Sequence, residues 1–131
     1  MSTDIQQKEK AFLHKQLTED VIGAAFAVHN ELGCGLLEKV YENALVVELG
    51  FRGRSVVSQM EFPVLYRGTD VGAYFADAVV DEAVIVEVKA VERLAKMHEA
   101  QLLHYLKISG LRVGLLLNFA KTRLEFERRV V

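Results

Sequence analysis

The sequence predicts an α/β domain, a mixed central β-sheet flanked by helices in the order α-α-β-β-β-α-β. Three observations lead there. Apolar residues recur at helical spacing as far as Leu49. From Ser55 to about residue 91 the pattern is strand-like, with long apolar runs. A helical stretch at 94–109 and an apolar run at 111–119 then follow. With 131 residues, 51% hydrophobic and 26% charged, the chain has the size and composition of one globular domain.

Residues 1–17 are polar and mixed in charge, and read as a tail ahead of a domain spanning 18–131. Thr18 offers an N-cap, and Glu19 and Asp20 fill a first turn where the helix dipole favours anions. Val21, Ile22, Ala25, Phe26, Val28, His29 and Leu32 continue at helical spacing to a stop at Gly33. After Gly33-Cys34-Gly35, a second helix runs from about Leu37 to Leu49 and ends at Gly50. The first strand, about 55–66, contains Pro63, which suits an edge or a bulge. Beyond the turn Arg67–Asp70, strands at 72–80 and 83–91 are apolar at nearly every position, so both sheet faces are expected to be covered. A helix at 94–109 stops at Gly110, 111–119 is a buried strand, and 123–131 alternates in the manner of an edge strand.

The formal net charge of −2 speaks against a general DNA coat and leaves room for a locally positive groove. Cys34 is the only cysteine, so no intramolecular disulfide forms and a cytoplasmic chain is the simpler reading. Val21–Val28 is too short to span a bilayer, and the start of the chain lacks the apolar core of a signal peptide. His14, His29, His98 and His104 have no metal-motif spacing.

The chemistry lies in the segment 84–91. A strand this apolar should be buried, yet Glu87 and Lys89 stand two residues apart on one face. Burying unpartnered charges costs several kcal/mol each, so something must compensate. Asp77 is a lone acid in the preceding apolar strand. A three-residue loop, Asp81 to Ala83, would set Val80 opposite Val84 and Asp77 opposite Glu87. A two-residue loop would send the acids to opposite faces unless a bulge intervened. Adjacent carboxylates repel unless a cation lies between them, and hard oxygen donors select Mg²⁺ or Mn²⁺. Lys89 beside such an ion could orient or deprotonate an attacking water.

Asp77, nine residues, then Glu87-Val88-Lys89 resembles the signature of the PD-(D/E)XK nuclease superfamily. Over about residues 12–131 the chain also resembles the small prokaryotic GxxExxY proteins placed in that superfamily. The matching stretches are Gly35–Tyr41, Glu87–Ala90, His98–Leu106 and Gly114–Phe119. The resemblance implies a restriction-endonuclease-like core. It makes Glu38, Asp77 and Glu87 metal ligands together with the backbone carbonyl of Val88, and has Lys89 position the nucleophilic water. Gln101 and Tyr105 match a Q-x3-Y element, for contact with the metal shell or the DNA backbone. The chain departs from the pattern at Ala76, where the superfamily has Pro, and at Cys34, where Pro is expected between the glycines.

Rival readings stay open for several residues. Tyr105 is either a packing or a substrate residue, and His98 either touches a phosphate or caps its helix. Tyr41, His29 and His104 read as structural. The function so implied is Mg²⁺- or Mn²⁺-dependent hydrolysis of DNA, or less readily RNA, by metal-activated water. The alternatives are a non-catalytic module binding nucleic acid or protein, and a hydrolase of small phosphorylated molecules. Expected partners are nucleic acid, a second copy of the chain and a protein that targets the enzyme, with no membrane.

Overall fold

The computed structural model describes residues 3–131. The elements are α1 (Thr3–Phe12), α2 (Lys15–Leu32), α3 (Glu38–Phe51), β1 (Val56–Tyr66), β2 (Thr69–Val80), β3 (Val84–Lys89), α4 (Lys96–Ser109), β4 (Val113–Asn118) and β5 (Glu125–Val130). The strands form one sheet in chain order. All neighbours are antiparallel except β3 and β4, which run parallel and are joined through α4. Pro63 accordingly lies on an edge strand. The α/β architecture with a mixed sheet is therefore the one expected, extended by α1 and β5. Among the described residues no helix is long and apolar enough to cross a membrane.

Two apolar layers sandwich the sheet. On one face Val21, Ala24, Ala25 and Val28 of α2 and Tyr41, Leu45 and Leu49 of α3 meet Val84, Val86 and Val88 of β3 and Leu115 and Leu117 of β4. On the other, Leu102 and Leu106 of α4 meet Tyr74, Ile85 and Leu116. β3 and β4 are buried on both faces, which explains their unbroken apolar runs.

The N-terminal boundary differs from expectation. α2 begins at Lys15, because Leu17 continues the Val21, Ala24 and Val28 stripe and is buried with it. The N-cap position is His14, in left-handed conformation and without a side-chain cap. Thr18, expected at the cap, is inside the helix, and its hydroxyl donates to the Lys15 carbonyl at 3.0 Å. Arg128 of β5 secures the α1–α2 joint by donating to the Leu13 carbonyl at 2.5 Å.

The β2–β3 loop is Asp81-Glu82-Ala83, with Val80 opposite Val84. Asp81 and Glu82 are both left-handed (φ 51° and 58°), which lets three residues reverse the chain. Arg54 holds this corner, reaching Asp20 and Asp81 at 2.9 Å each. The two arginines on Asp20, Arg54 first and then Arg52, keep its carboxyl below the ordinary range.

One further feature positions the site. Ala78 and Val80 face the α2–α3 layer, whereas Tyr74 and Ala76 face α4, although all four have the same parity. β1 behaves likewise, with Val56 on the first face and Met60, Phe62 and Val64 on the second. Both strands therefore turn over between the pairs Ser58–Ala78 and Met60–Ala76. Gln59 lies at the turnover with φ 53°, and its neighbour across the ribbon is Asp77. In β1 the left-handed Gln59 reverses the alternation of side chains, and the paired β2 turns over beside it without a left-handed residue of its own at that point.

The packing of α4 on β4 gives a first prediction. A Cβ added at Gly114 would fall 2.7 Å from Leu102 Cδ1, and Leu102, fully buried, would have to shift within the core. Gly114→Ala is expected to cost about 1–3 kcal/mol by overpacking. A urea midpoint equal to that of the wild type would contradict this.

Candidate active site

The paired ladder between β2 and β3 ends at Ala78–Val86. Continuing that register would bring Asp77 across from Glu87, but here β2 turns over and leaves β3. The backbone N–H of Val88 consequently loses a strand partner and donates to Asp77 Oδ2 at 2.8 Å. The departure of the strand thus fixes one oxygen of the acid.

Glu87 follows Ile85 by two residues and shares its face, towards α4. It is only 4% exposed. Its Oε1 accepts a hydrogen bond from the Tyr74 hydroxyl. Tyr74 is clamped between aromatic rings, with Tyr105 stacked at 3.8 Å and Phe62 at 5.9 Å. Burial, followed by the charge of Asp77, pushes the Glu87 carboxyl up to about 8. The proximity of Asp77 thus adds to burial in favouring the protonated form of Glu87. Burial and then the negative charge of Glu87 also raise the phenols of Tyr74 and Tyr105.

The remaining expected site residues are placed unequally. Lys89 ends β3, half-buried, close enough for its charge to favour ionised Glu87. Glu38 opens α3 and accepts the backbone N–H of Ala90 at 3.2 Å, so it stands at the same end of β3 on the opposite layer. Tyr41 sets that position. Its hydroxyl donates to the Gly33 carbonyl at 2.6 Å and accepts the Leu36 N–H at 3.1 Å, closing the glycine turn where Gly35 has φ 99°. Gln101 is half-buried one turn before Tyr105 on α4, and its side chain makes no hydrogen bond to any described residue. His98 caps α4, its Nδ1 accepting the Ala95 N–H at 2.9 Å. His29 is bound through Nε2 to the Lys121 carbonyl at 2.7 Å.

Three participants had no part in the sequence reading. Tyr74 could have been suspected, because a tyrosine on a buried strand face needs a partner for its hydroxyl. Glu42 stands three and seven residues before Leu45 and Leu49 on the apolar face of α3, and it is buried. It accepts Gln59 Nε2 at 2.7 Å and Lys39 Nζ at 3.0 Å. Asn118, fully buried, clamps the segment after β3 by accepting the Val91 N–H at 3.0 Å and donating to the Val91 carbonyl at 2.8 Å.

The donor set fits a hard divalent cation. Two carboxyl groups from neighbouring strands lie close enough for the charge of Asp77 to raise Glu87, and oxygen donors of this kind suit Mg²⁺ or Mn²⁺. Among the described residues no three His, Cys, Asp or Glu side chains are grouped as a ready-made metal cage. The Asp77–Glu87 pair is the candidate nucleus of a site, and Glu38 is engaged with the Ala90 N–H.

A family model described as the PD-(D/E)XK nuclease superfamily matches residues 15–130. No curated protein and no solved structure matches the chain.

Proposed function

Because the chain belongs to the PD-(D/E)XK nuclease superfamily, we propose that it is a Mg²⁺- or Mn²⁺-dependent nuclease hydrolysing phosphodiester bonds, with DNA as the first candidate substrate and RNA the second. The observation that carries this reading is the meeting of Asp77 with a desolvated Glu87 where β2 leaves β3. The motif Gly35-Leu36-Leu37-Glu38-Lys39-Val40-Tyr41 supports a place among the GxxExxY proteins, which are cytoplasmic and prokaryotic in this reading.

Asp77 and Glu87, with the backbone carbonyl of Val88, would hold the ion, and Glu38 would join them from α3 on leaving the Ala90 N–H. When bound, the ion supplies Lewis-acid stabilisation of the phosphoryl group and a water of lowered pKa. Tyr74 holds one oxygen of Glu87 and leaves the other for the ion. Val88 N–H fixes one oxygen of Asp77. Lys89 steadies the attacking water and the negative charge that develops as it adds. Gln101 lies on the α4 face that bears Tyr105, available to the substrate backbone, while Tyr105 acts through its stack on Tyr74.

The net charge of −2 and the engagement of Glu38 with Ala90 favour, as a second reading, a module that keeps the fold and binds nucleic acid or protein without cutting. Calorimetric titration with Mn²⁺, paired with incubation of supercoiled, single-stranded and RNA substrates, separates the two. Heat at submillimolar Mn²⁺ and metal-dependent nicking are expected. Absence of heat at millimolar Mn²⁺, with nucleic acid retained intact, would establish the module instead.

A further inference from the structure

We infer that Gln59 is a positioning residue, locking the orientation of Asp77 through a bridge to the buried carboxylate of Glu42; this rests on the nuclease reading of the Asp77–Glu87 pair. Gln59 Nε2 lies 2.7 Å from Glu42 Oε1 and, in a longer contact, 3.4 Å from Asp77 Oδ1. Both neighbours are carboxylates when ionised, able only to accept, so the amide must turn its NH₂ end towards them. One NH₂ group supplies two hydrogens, enough for one to each acid. Glu42 is only 5% exposed and carries the ammonium of Lys39 at 3.0 Å, so its own place is fixed. Asp77 is then gripped twice, by Val88 N–H at Oδ2 and by Gln59 at Oδ1. The acid on β2 thereby answers to α3 and β1 as well as to β3.

The backbone supports a functional reading of this residue. Gln59 has φ 53°, a conformation in which a side chain with a Cβ is disfavoured and glycine is at ease. The turnover of the ribbon needs only the backbone angle, which glycine would supply without penalty. Glutamine adds nothing to that turn that glycine lacks, except its amide. Strain kept at such a place points to the side chain as its reason.

Gln59→Gly separates the two roles. It retains the turnover and removes the amide; relief of the left-handed backbone works against the donor lost at Glu42, so the melting temperature without metal should stay nearly level. Affinity for Mn²⁺ measured by calorimetry should fall about 10- to 100-fold, as when an outer partner of a metal ligand is lost. In cleavage kcat should fall more than KM changes. Glu42→Gln, which frees the amide to rotate, should shift affinity in the same direction by less. Wild-type Mn²⁺ affinity in Gln59→Gly would overturn the proposal, as would a loss of affinity that merely follows a loss of melting temperature. Should the wild type itself bind no Mn²⁺, the nuclease reading fails, and the bridge is still decided without metal. Nitrogen-edited NMR should then show the Gln59 side-chain amide moving on Asp77→Asn, and an unmoved resonance would refute it.

Discussion

Asp77→Asn and Glu87→Gln are each expected to lower Mn²⁺- or Mg²⁺-dependent cleavage by on the order of 10³-fold or more. Both changes keep shape and remove one negative charge. The amide replacing Asp77 would still offer an oxygen to Val88 N–H, and the amide replacing Glu87 one to the Tyr74 hydroxyl, so the local hydrogen bonds can persist. What they cannot supply is the charge that draws a divalent ion between two strands. The pair acts as a unit, so the double variant should be little worse than either single one. Losses that multiply would instead describe two acids working independently. Wild-type rates in either single variant would remove the mechanism, whatever the fold. Lys89→Ala should act differently, sparing Mn²⁺ binding while slowing the chemical step, since its ammonium is not among the ligands.

The legibility of this site was uneven for physical reasons. Glu87 and Lys89 were visible because charges in an apolar strand are costly, and Asp77 because a lone acid interrupted the strand before it. The loop has the three residues that the expected register needs, but the paired ladder stops at Ala78–Val86, and Asp77 comes to β3 by accepting Val88 N–H instead of as the ladder partner of Glu87. The turnover of β1 and β2 was not legible, since one left-handed glutamine leaves no trace in composition or alternation that a surface residue would not also leave. Glu42 was hidden for a related reason: an acid among Tyr41, Leu45 and Leu49 looks like a solvated edge of the helix until Gln59 and Lys39 are seen to meet it. The early start of α2 was lost because Leu17 is a single apolar residue among polar ones, and only tertiary burial shows that it belongs to the stripe. His98 presented two readings, and the structure gives it a helix cap, a local bond that any short-range alternative must displace.

Stability without metal should fall as pH rises from about 5 to 8, against the habit of acidic side chains. The carboxyl of Glu87 is raised from 4.5 to about 8 in the folded chain. Between these values the folded protein holds a proton that the unfolded chain has released, so each step upward in pH favours unfolding. The contribution is whole below about 4.5 and is lost by about 8, and a shift of this size corresponds to up to roughly 5 kcal/mol. Asp20 and Glu125, whose carboxyls are lowered, act in the opposite sense, and their contribution fades on the acid side, outside this window. In chelator the wild type should therefore melt about ten degrees or more lower at pH 8 than at pH 5. Glu87→Gln should lack that decline, and at pH 8 it should be at least as stable as the wild type. Mn²⁺ should reverse the wild-type decline, because it binds the ionised pair and competes with the proton for the same place. The added stability from Mn²⁺ should therefore grow with pH and be absent in Glu87→Gln. A melting temperature level across this range in chelator would mean that neither burial nor the charge of Asp77 holds the Glu87 carboxyl up, and with that the physical reason for a cation between β2 and β3 would be gone.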